Sequence, residues 1–324
     1  MGSDFVRRAQ RSAKRFYHDA LNLYARTCLK RGREFLPLAI VPISGGLGNQ
    51  IWHYMIGVGV EKYSGLSVKY DLSWYKNFGL DIQGKEKRDF ELLRTFPGLS
   101  LPIARADEAA FLKKYYRYEP KDFCLFDENV YWGTRPRYLE GFCAHAKYLR
   151  LVEEEAKKLL MFSPEIILRN ADTLRQIQDS GVAVAVHVRR GDYLGSIHDV
   201  LTPGYYRAAI ETLTRRLAPK TPLFYVFSND LAWCREFFRE YENVAFPEGE
   251  GRSVADDFYL MTQCRHHIIA NSTLSWSAAW LSMNADMQVV MPEIWYAAKA
   301  RAHNRRGSET AFRVPGWIVL PVGG

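Results

Sequence analysis

No stretch of the chain approaches the ~20 consecutive apolar residues that a membrane-spanning helix requires, and its first residues lack the apolar core of a secretion signal. A cytoplasmic setting is therefore expected. The five cysteines, Cys28, Cys124, Cys143, Cys234 and Cys264, are odd in number, scattered, and never spaced as C-x-x-C. Neither a disulfide framework nor a zinc site follows from such a pattern. Also missing are the Lys-Ser/Thr ending of a P-loop and the spacing of a Rossmann fingerprint, which disfavours ATP hydrolysis and nicotinamide binding. No D-x-D pair sits at the end of an expected strand, so no metal is expected in the chemistry. Low-complexity tracts are absent too, and with 48% hydrophobic and 25% charged residues the chain is of the packed globular kind.

What is present begins with size: 324 residues suffice for two domains, because single cores stop growing near ~250–300 residues. The formal net charge is +8, and residues 1–35 hold most of it, nine basic residues against three acidic ones. In that segment Val6, Ala9, Ala13, Phe16, Tyr17, Ala20, Leu21 and Tyr24 recur at three- and four-residue steps, the stripe of an amphipathic helix. Such a cationic helix either touches an anionic membrane surface through residues 5–33 or packs on the domain that follows. A nucleic-acid-binding module would instead need basic and aromatic residues interleaved on one face, so nucleic acid is not an expected partner.

From residue 36 the pattern alternates strand and helix. The apolar run 36–41 breaks at Ser44, Gly45 and Gly46, a helix runs to about Tyr63, and Ser67–Asp71 reads as a strand, together a βαβ unit. Residues 75–150 are aromatic and charged without clear period. Ser163 and Pro164 open a helix to about Gln178, and Val182–Val188 is a continuous β-branched run of the kind found in a central parallel strand. Helix 203–217, strand Leu223–Phe227, helix 231–241, strand Asn243–Phe246, helix 255–264, strand His267–Ala270, helix 273–283 and strand Met287–Met291 complete an open, doubly wound sheet. The expected organisation is a basic helix over 1–35, an N-terminal α/β domain over 36–160 and a C-terminal α/β domain over 161–324.

Ligands of open α/β sheets bind beyond the carboxyl ends of the strands, and four segments fall there. Gly46, Gly48, Asn49 and Gln50 follow the first strand, where small residues let backbone approach a ligand. His187, Arg189, Arg190 and Asp192 follow the buried strand. In an extended stretch the two arginines point apart, so Arg189 faces the cleft while Arg190 pairs locally, with Asp192 or Asp257. A guanidinium binds phosphate bidentately and offsets charge building on a leaving diphosphate. Ser228, Asn229 and Asp230 end another strand, Asn229 or Asp230 serving as a helix cap. Asp257 lies ahead of Asn271, Ser272 and Thr273, the last two opening a helix whose hydroxyls and amides suit phosphate; Asp257 either takes the paired donors of guanine or caps a helix.

Taken together, GGLGNQ, HVRRGDY, FSND before a Trp-Cys pair, and DFYLMTQCRHHIIANSTLSWSAAWL resemble the α-1,2-fucosyltransferases of glycosyltransferase family 11. The motifs occur in the family's order over residues 44–285, and GNQ with His53 is also similar to the opening motif of protein O-fucosyltransferases. FSND stands where the family usually has FSDD. The resemblance implies a GT-B-like architecture of two Rossmann-like domains facing a cleft, with GDP-fucose as donor. It implies inverting transfer to the 2-hydroxyl of a galactose-type residue in an oligosaccharide acceptor, without a cofactor or metal. By position it places Arg189 on the β-phosphate, His187 and Asp257 near guanosine, and Ser272 and Thr273 near the diphosphate. Another GDP-sugar donor or a protein acceptor is the alternative within the same fold. For the base that deprotonates the acceptor, Asp192, His198, Asp199 and His53 are the candidates, although a loose transition state asks little of it and Arg189 carries the greater share.

Overall fold

The computed structural model describes residues 38–323 and Leu23, apart from Ile82, Lys85, Glu86, Glu250, Met283, Ala285 and residues 302–306. Except for Leu23, the basic helix expected within 1–35, and with it the membrane contact through residues 5–33, lies outside the described residues. Among the described residues no helix is long and apolar enough to cross a membrane.

Two parallel sheets organise the chain. The first has β1 (Leu38–Pro42), β2 (Ser67–Asp71), β3 (Arg117–Tyr118) and β4 (Arg137–Leu139) in the order β2-β1-β4-β3. Between β1 and β2 runs α1 (Leu47–Ser64), ended by Gly65 in the left-handed conformation that a Cβ would strain. The short α2 (Leu92–Thr95) precedes β3. Strands of two and three residues show no period, which is why β3 and β4 were invisible in the aromatic stretch from 75 to 150.

The second sheet has β5 (Ala183–Val188), β6 (Leu223–Ser228), β7 (Val244–Ala245), β8 (His266–Ile268), β9 (Val289–Pro292) and β10 (Ile318–Leu320), ordered β10-β9-β8-β5-β6-β7 with every pair parallel. Around it lie α3 (Pro164–Arg169), α4 (Ala171–Asp179), α5 (Pro203–Leu217), α6 (Leu231–Phe237), α7 (Val254–Gln263) and α8 (Thr273–Leu281). All six residues of β5 are buried. Val184, Val186 and Val188 pack with Tyr205, Ala209 and Leu213 of α5, whereas Ala183 and Ala185 share the opposite face with Phe258 and Met261 of α7. That two-sided burial is what the unbroken β-branched run anticipated.

The strand order is that of a doubly wound nucleotide-binding sheet, and its switch point falls between β5, which leads to β6 on one side, and β8, which leads to β9 on the other. Three elements depart from the expected ones, and one of them, β10, continues the sheet past the last expected strand at Met287–Met291. The helix expected over 164–178 is two helices, because the Asn170 amide turns to the Ile166 carbonyl (2.8 Å) and Asp256 Oδ1 (2.6 Å). The helix expected to reach 241 stops at Phe237.

The halves share one hydrophobic cluster. Trp52 of α1 meets Trp276 of α8 with ring centroids 4.9 Å apart. Both indoles donate within the core, Trp52 Nε1 to the Cys143 carbonyl (3.0 Å) and Trp276 Nε1 to the Phe312 carbonyl (2.8 Å). Polar handles on large apolar rings fix the rings in one orientation.

Candidate active site

A cavity of about 560 Å³ lies where the carboxyl ends of both sheets meet, walled by the loops after β1, β4, β5 and β8. After β1 the chain turns through Gly45, whose φ of 78° is open to glycine at no steric cost, and enters α1. Gly46 caps α1 without a side-chain acceptor, and the helix's internal bonding starts with Gln50 N–H to the Gly46 carbonyl. The first-turn amides of an 18-residue helix, at Leu47, Gly48 and Asn49, thus open beside the cavity.

The other half brings a second helix start to the same place. Ser272 caps α8 by accepting from Leu274 N–H, and Ser272, Thr273 and Leu274 line the cavity. Thr273 Oγ1 donates to Asn49 Oδ1 at 2.6 Å. A methyl on Gly48 would collide with the backbone of Thr273 and Leu274, so the two helix starts approach this closely only through glycine. Two helix N-termini on one cavity favour an anion.

Arg189 continues the β5 face that carries Ala183 and Ala185, and it lines the cavity. Its guanidinium is 17% exposed, reaches Asp192 Oδ1 at 2.6 Å, and lies 5.3 Å from the Tyr193 ring centre. Its Nε is buried without a hydrogen-bond partner among the described residues, leaving a donor edge unused. Arg88 takes the other oxygen of Asp192 at 2.8 Å, so the carboxylate bridges an arginine from each half. Arg190 points the opposite way, as alternation requires. It pairs with Asp230 at 3.1 Å and lies over Trp233 at 4.4 Å, instead of meeting the expected Asp192 or Asp257.

Asn271 Nδ2 clasps two further walls by donating to the carbonyls of His198 and Trp295, each at 2.9 Å. His198 stacks on Tyr193 with centroids 4.7 Å apart. His53 lines the cavity from α1 and accepts at Nδ1 from Ser44 N–H at 3.4 Å. Burial lowers its pKa to about 4. The ring is neutral at physiological pH with its proton on Nε2, a hydrogen-bond donor and not a base. Both oxygens of Asp192 are taken up by guanidinium groups, one from each half. Asp199 lies off the cavity wall and accepts from Gly195 N–H at 2.8 Å.

Of the sequence candidates, Gly46, Gly48, Asn49, His53, Arg189, Asp192, His198, Asn271, Ser272 and Thr273 stand on the cavity wall, whereas Gln50, His187, Ser228 and Asp257 do not. Gln50 is fully buried and spends its amide on four backbone groups. His187 turns inward to Ser275 Oγ at 2.9 Å, and burial, then the charge of Arg189, lowers its pKa to about 3. Ser228 Oγ accepts from Asp230 N–H (2.9 Å), which itself caps α6. Burial raises the Asp257 pKa, and its carboxylate pairs with Arg252.

Residues 113–320 match the family model described as glycosyl transferase family 11. The chain belongs to glycosyl transferase family 11. It is 30% identical over 293 residues to an Escherichia coli α-1,2-colitosyltransferase, covering 81% of this chain and 93% of that one. It is also 30% identical over 211 residues to the galactoside α-(1,2)-fucosyltransferase 2 of Rattus norvegicus, covering 57% of this chain and 54% of the relative. Among solved structures, a mutant of Arabidopsis thaliana FUT1 in complex with GDP aligns with 12% identity and a TM-score of 0.47 over 89% of this chain and 80% of that one.

This family 11 chain also uses residues that no sequence signal marked. Arg88 sits in a run of mixed charge, and only the fold brings it to Asp192. Trp295 and Tyr296 reach the cavity from beyond β9, and Phe142 from beyond β4. Glu91, half-buried on the wall of the N-terminal half, likewise sits among residues without a readable period.

Proposed function

We propose that this family 11 enzyme transfers L-fucose from GDP-fucose to the 2-hydroxyl of a galactose residue in a glycan, with inversion and without a metal ion. The observation that carries the proposal is the meeting of Arg189 with the start of α1 and the start of α8 on one cavity at the sheet's switch point. A leaving nucleoside diphosphate gathers negative charge as the anomeric bond breaks, and preorganised donors lower that barrier. Arg189 supplies a fixed positive charge on the cavity wall, and the helix amides supply dipoles that need no reorganisation. Charge of this kind does in place what a divalent cation does elsewhere.

The α-1,2 linkage and the galactoside acceptor rest on the names of the relatives, one a colitosyltransferase and one a galactoside fucosyltransferase. The first of these supports a second reading, in which the same cavity takes a GDP-linked deoxysugar other than fucose. One assay separates the two: release of GDP from GDP-fucose and from GDP-colitose is followed with a β-galactoside acceptor in EDTA, and the product linkage is determined. The proposal expects GDP-fucose turnover and an α-1,2 product with the chelator present. Turnover of GDP-colitose alone would move the donor assignment, and strict dependence on added Mn²⁺ would remove the metal-free mechanism.

A further inference from the structure

Gln50 belongs to the GNQ motif yet never reaches the cavity. Its Nε2 donates to the carbonyls of Gly45 (3.0 Å) and Asp89 (2.8 Å), and its Oε1 accepts from Glu91 N–H and Leu92 N–H, both at 2.9 Å. One fully buried amide thus staples the turn after β1 to the segment 89–92 about forty residues later. Thr95 secures the same segment from the other side, its N–H (2.9 Å) and its hydroxyl (3.0 Å) both donating to the Glu91 carbonyl. The backbone of Glu91 is held at both its N–H and its C=O, while its side chain stands on the cavity wall. Among the described residues its carboxylate makes no hydrogen bond or ion pair.

We propose that Glu91 is the general base that takes the proton of the acceptor hydroxyl, and that Gln50 is the positioning residue that presents it. The proposal rests on the glycosyl-transfer reading above. The other carboxylate of the wall that the sequence marked, Asp192, is held by Arg88 and Arg189, and the His53 nitrogen that could accept is occupied by Ser44. In the step, the acceptor O–H proton moves to a Glu91 oxygen. The freed electron pair forms the bond to the anomeric carbon, and the anomeric C–O bond breaks with its pair leaving on the β-phosphate of the nucleoside diphosphate. Water later returns Glu91 to its charged form. Burial raises the Glu91 pKa, with Arg94 and Arg88 opposing and Asp89 adding to the rise. Tyr75, on the short helix Ser73–Asn77, feels the same charge, and Asp81, His53, Asp192, Arg189, Tyr193, His198 and Tyr296 are the other titratable and charged groups of the wall. A raised pKa brings a carboxylate nearer the working pH of a base.

The test compares wild-type enzyme with Glu91→Gln, an isosteric change, in kcat, in KM for acceptor and in GDP binding by thermal shift from pH 4.5 to 8. General-base catalysis contributes about 10²–10⁴-fold. The expected result is a kcat at least about tenfold lower, GDP binding unchanged, and loss of the acid limb on which wild-type kcat falls as Glu91 protonates. Retention of that limb, or a kcat within about tenfold of wild type, would overturn the assignment. Gln50→Leu should lower kcat and displace the limb; a change confined to thermal stability would leave Gln50 no positioning role. If wild-type enzyme transfers sugar normally and Glu91→Gln does too, only the base falls. If wild-type enzyme releases GDP from no sugar donor, the transfer reading and the base fall together.

Discussion

Arg189 does three things that a different cation could not do together. Its guanidinium pairs with Asp192, its centre lies over the Tyr193 ring, and the group still stands partly exposed on the cavity wall. Lysine keeps the charge but has no fork, so it must choose between the carboxylate and the phosphate. Arg189→Lys is therefore expected to lower kcat/KM by roughly 10²–10³, the range seen when one preorganised donor is removed from a charge-stabilising site. Folding should change little, because Asp192 keeps Arg88 as a partner. Steady-state kinetics beside urea denaturation checks this, and an unchanged kcat/KM would take Arg189 out of the mechanism. The sequence marked Arg189 because two adjacent arginines ended a buried strand. It could not mark Arg88, whose role comes from a contact 104 positions away along the chain.

At the scale of elements, the helix starts of α1 and α8 are set against each other by a single missing side chain. Gly48 and Gly46 read alike in the sequence, both as small residues of a strand-to-helix turn, but their surroundings differ. A Cβ on Gly46 meets nothing within 4 Å, whereas a Cβ on Gly48 meets backbone that has no rotamer to escape through. Gly48→Ala is thus expected to cost about 1–3 kcal/mol of stability as an overpacking change. It should also weaken GDP binding by parting the two helix starts. Gly46→Ala should cost less than ~1 kcal/mol, the loss of a glycine cap where a Cβ meets no neighbour. Urea midpoints with and without GDP separate the two, and equal costs would refute the account. The β/α alternation from 163 onward was legible because β5, β6 and β9 are apolar runs and because α3, α6, α7 and α8 open on capping side chains. The break at Asn170 was not, since it depends on Asp256, a fully buried carboxylate reached by Arg169, Asn170 and Ser253. Gln50 was misread for the same reason: its polarity in a glycine turn suggested a ligand contact, and its four backbone partners include three in the segment 89–92.

Across the whole molecule, packing around α1 and within the second sheet buries neutral histidines. His53 and His266 have pKa values lowered to about 4, and His187 and His267 to about 3, in each case first by burial. The unfolded chain takes up these protons near pH 6.5 while the folded chain refuses them until pH 4 or below. Each residue therefore contributes stability that is complete above 6.5 and is lost as pH falls toward its folded value. Glu91 and Asp257, whose pKa values burial raises, work in the opposite sense nearer the ordinary carboxylate range, so the loss is steepest between about pH 6.5 and 5. Four such groups set a limiting slope near four protons, each about 1.4 kcal/mol per pH unit. Urea midpoints measured from pH 7.5 to 5 should fall steadily, and proton uptake on unfolding at pH 5.5 should exceed two per molecule by that slope. His53→Gln and His266→Gln should each flatten the decline by about one proton. A stability that stays level across this range would mean that these rings are not held neutral by burial.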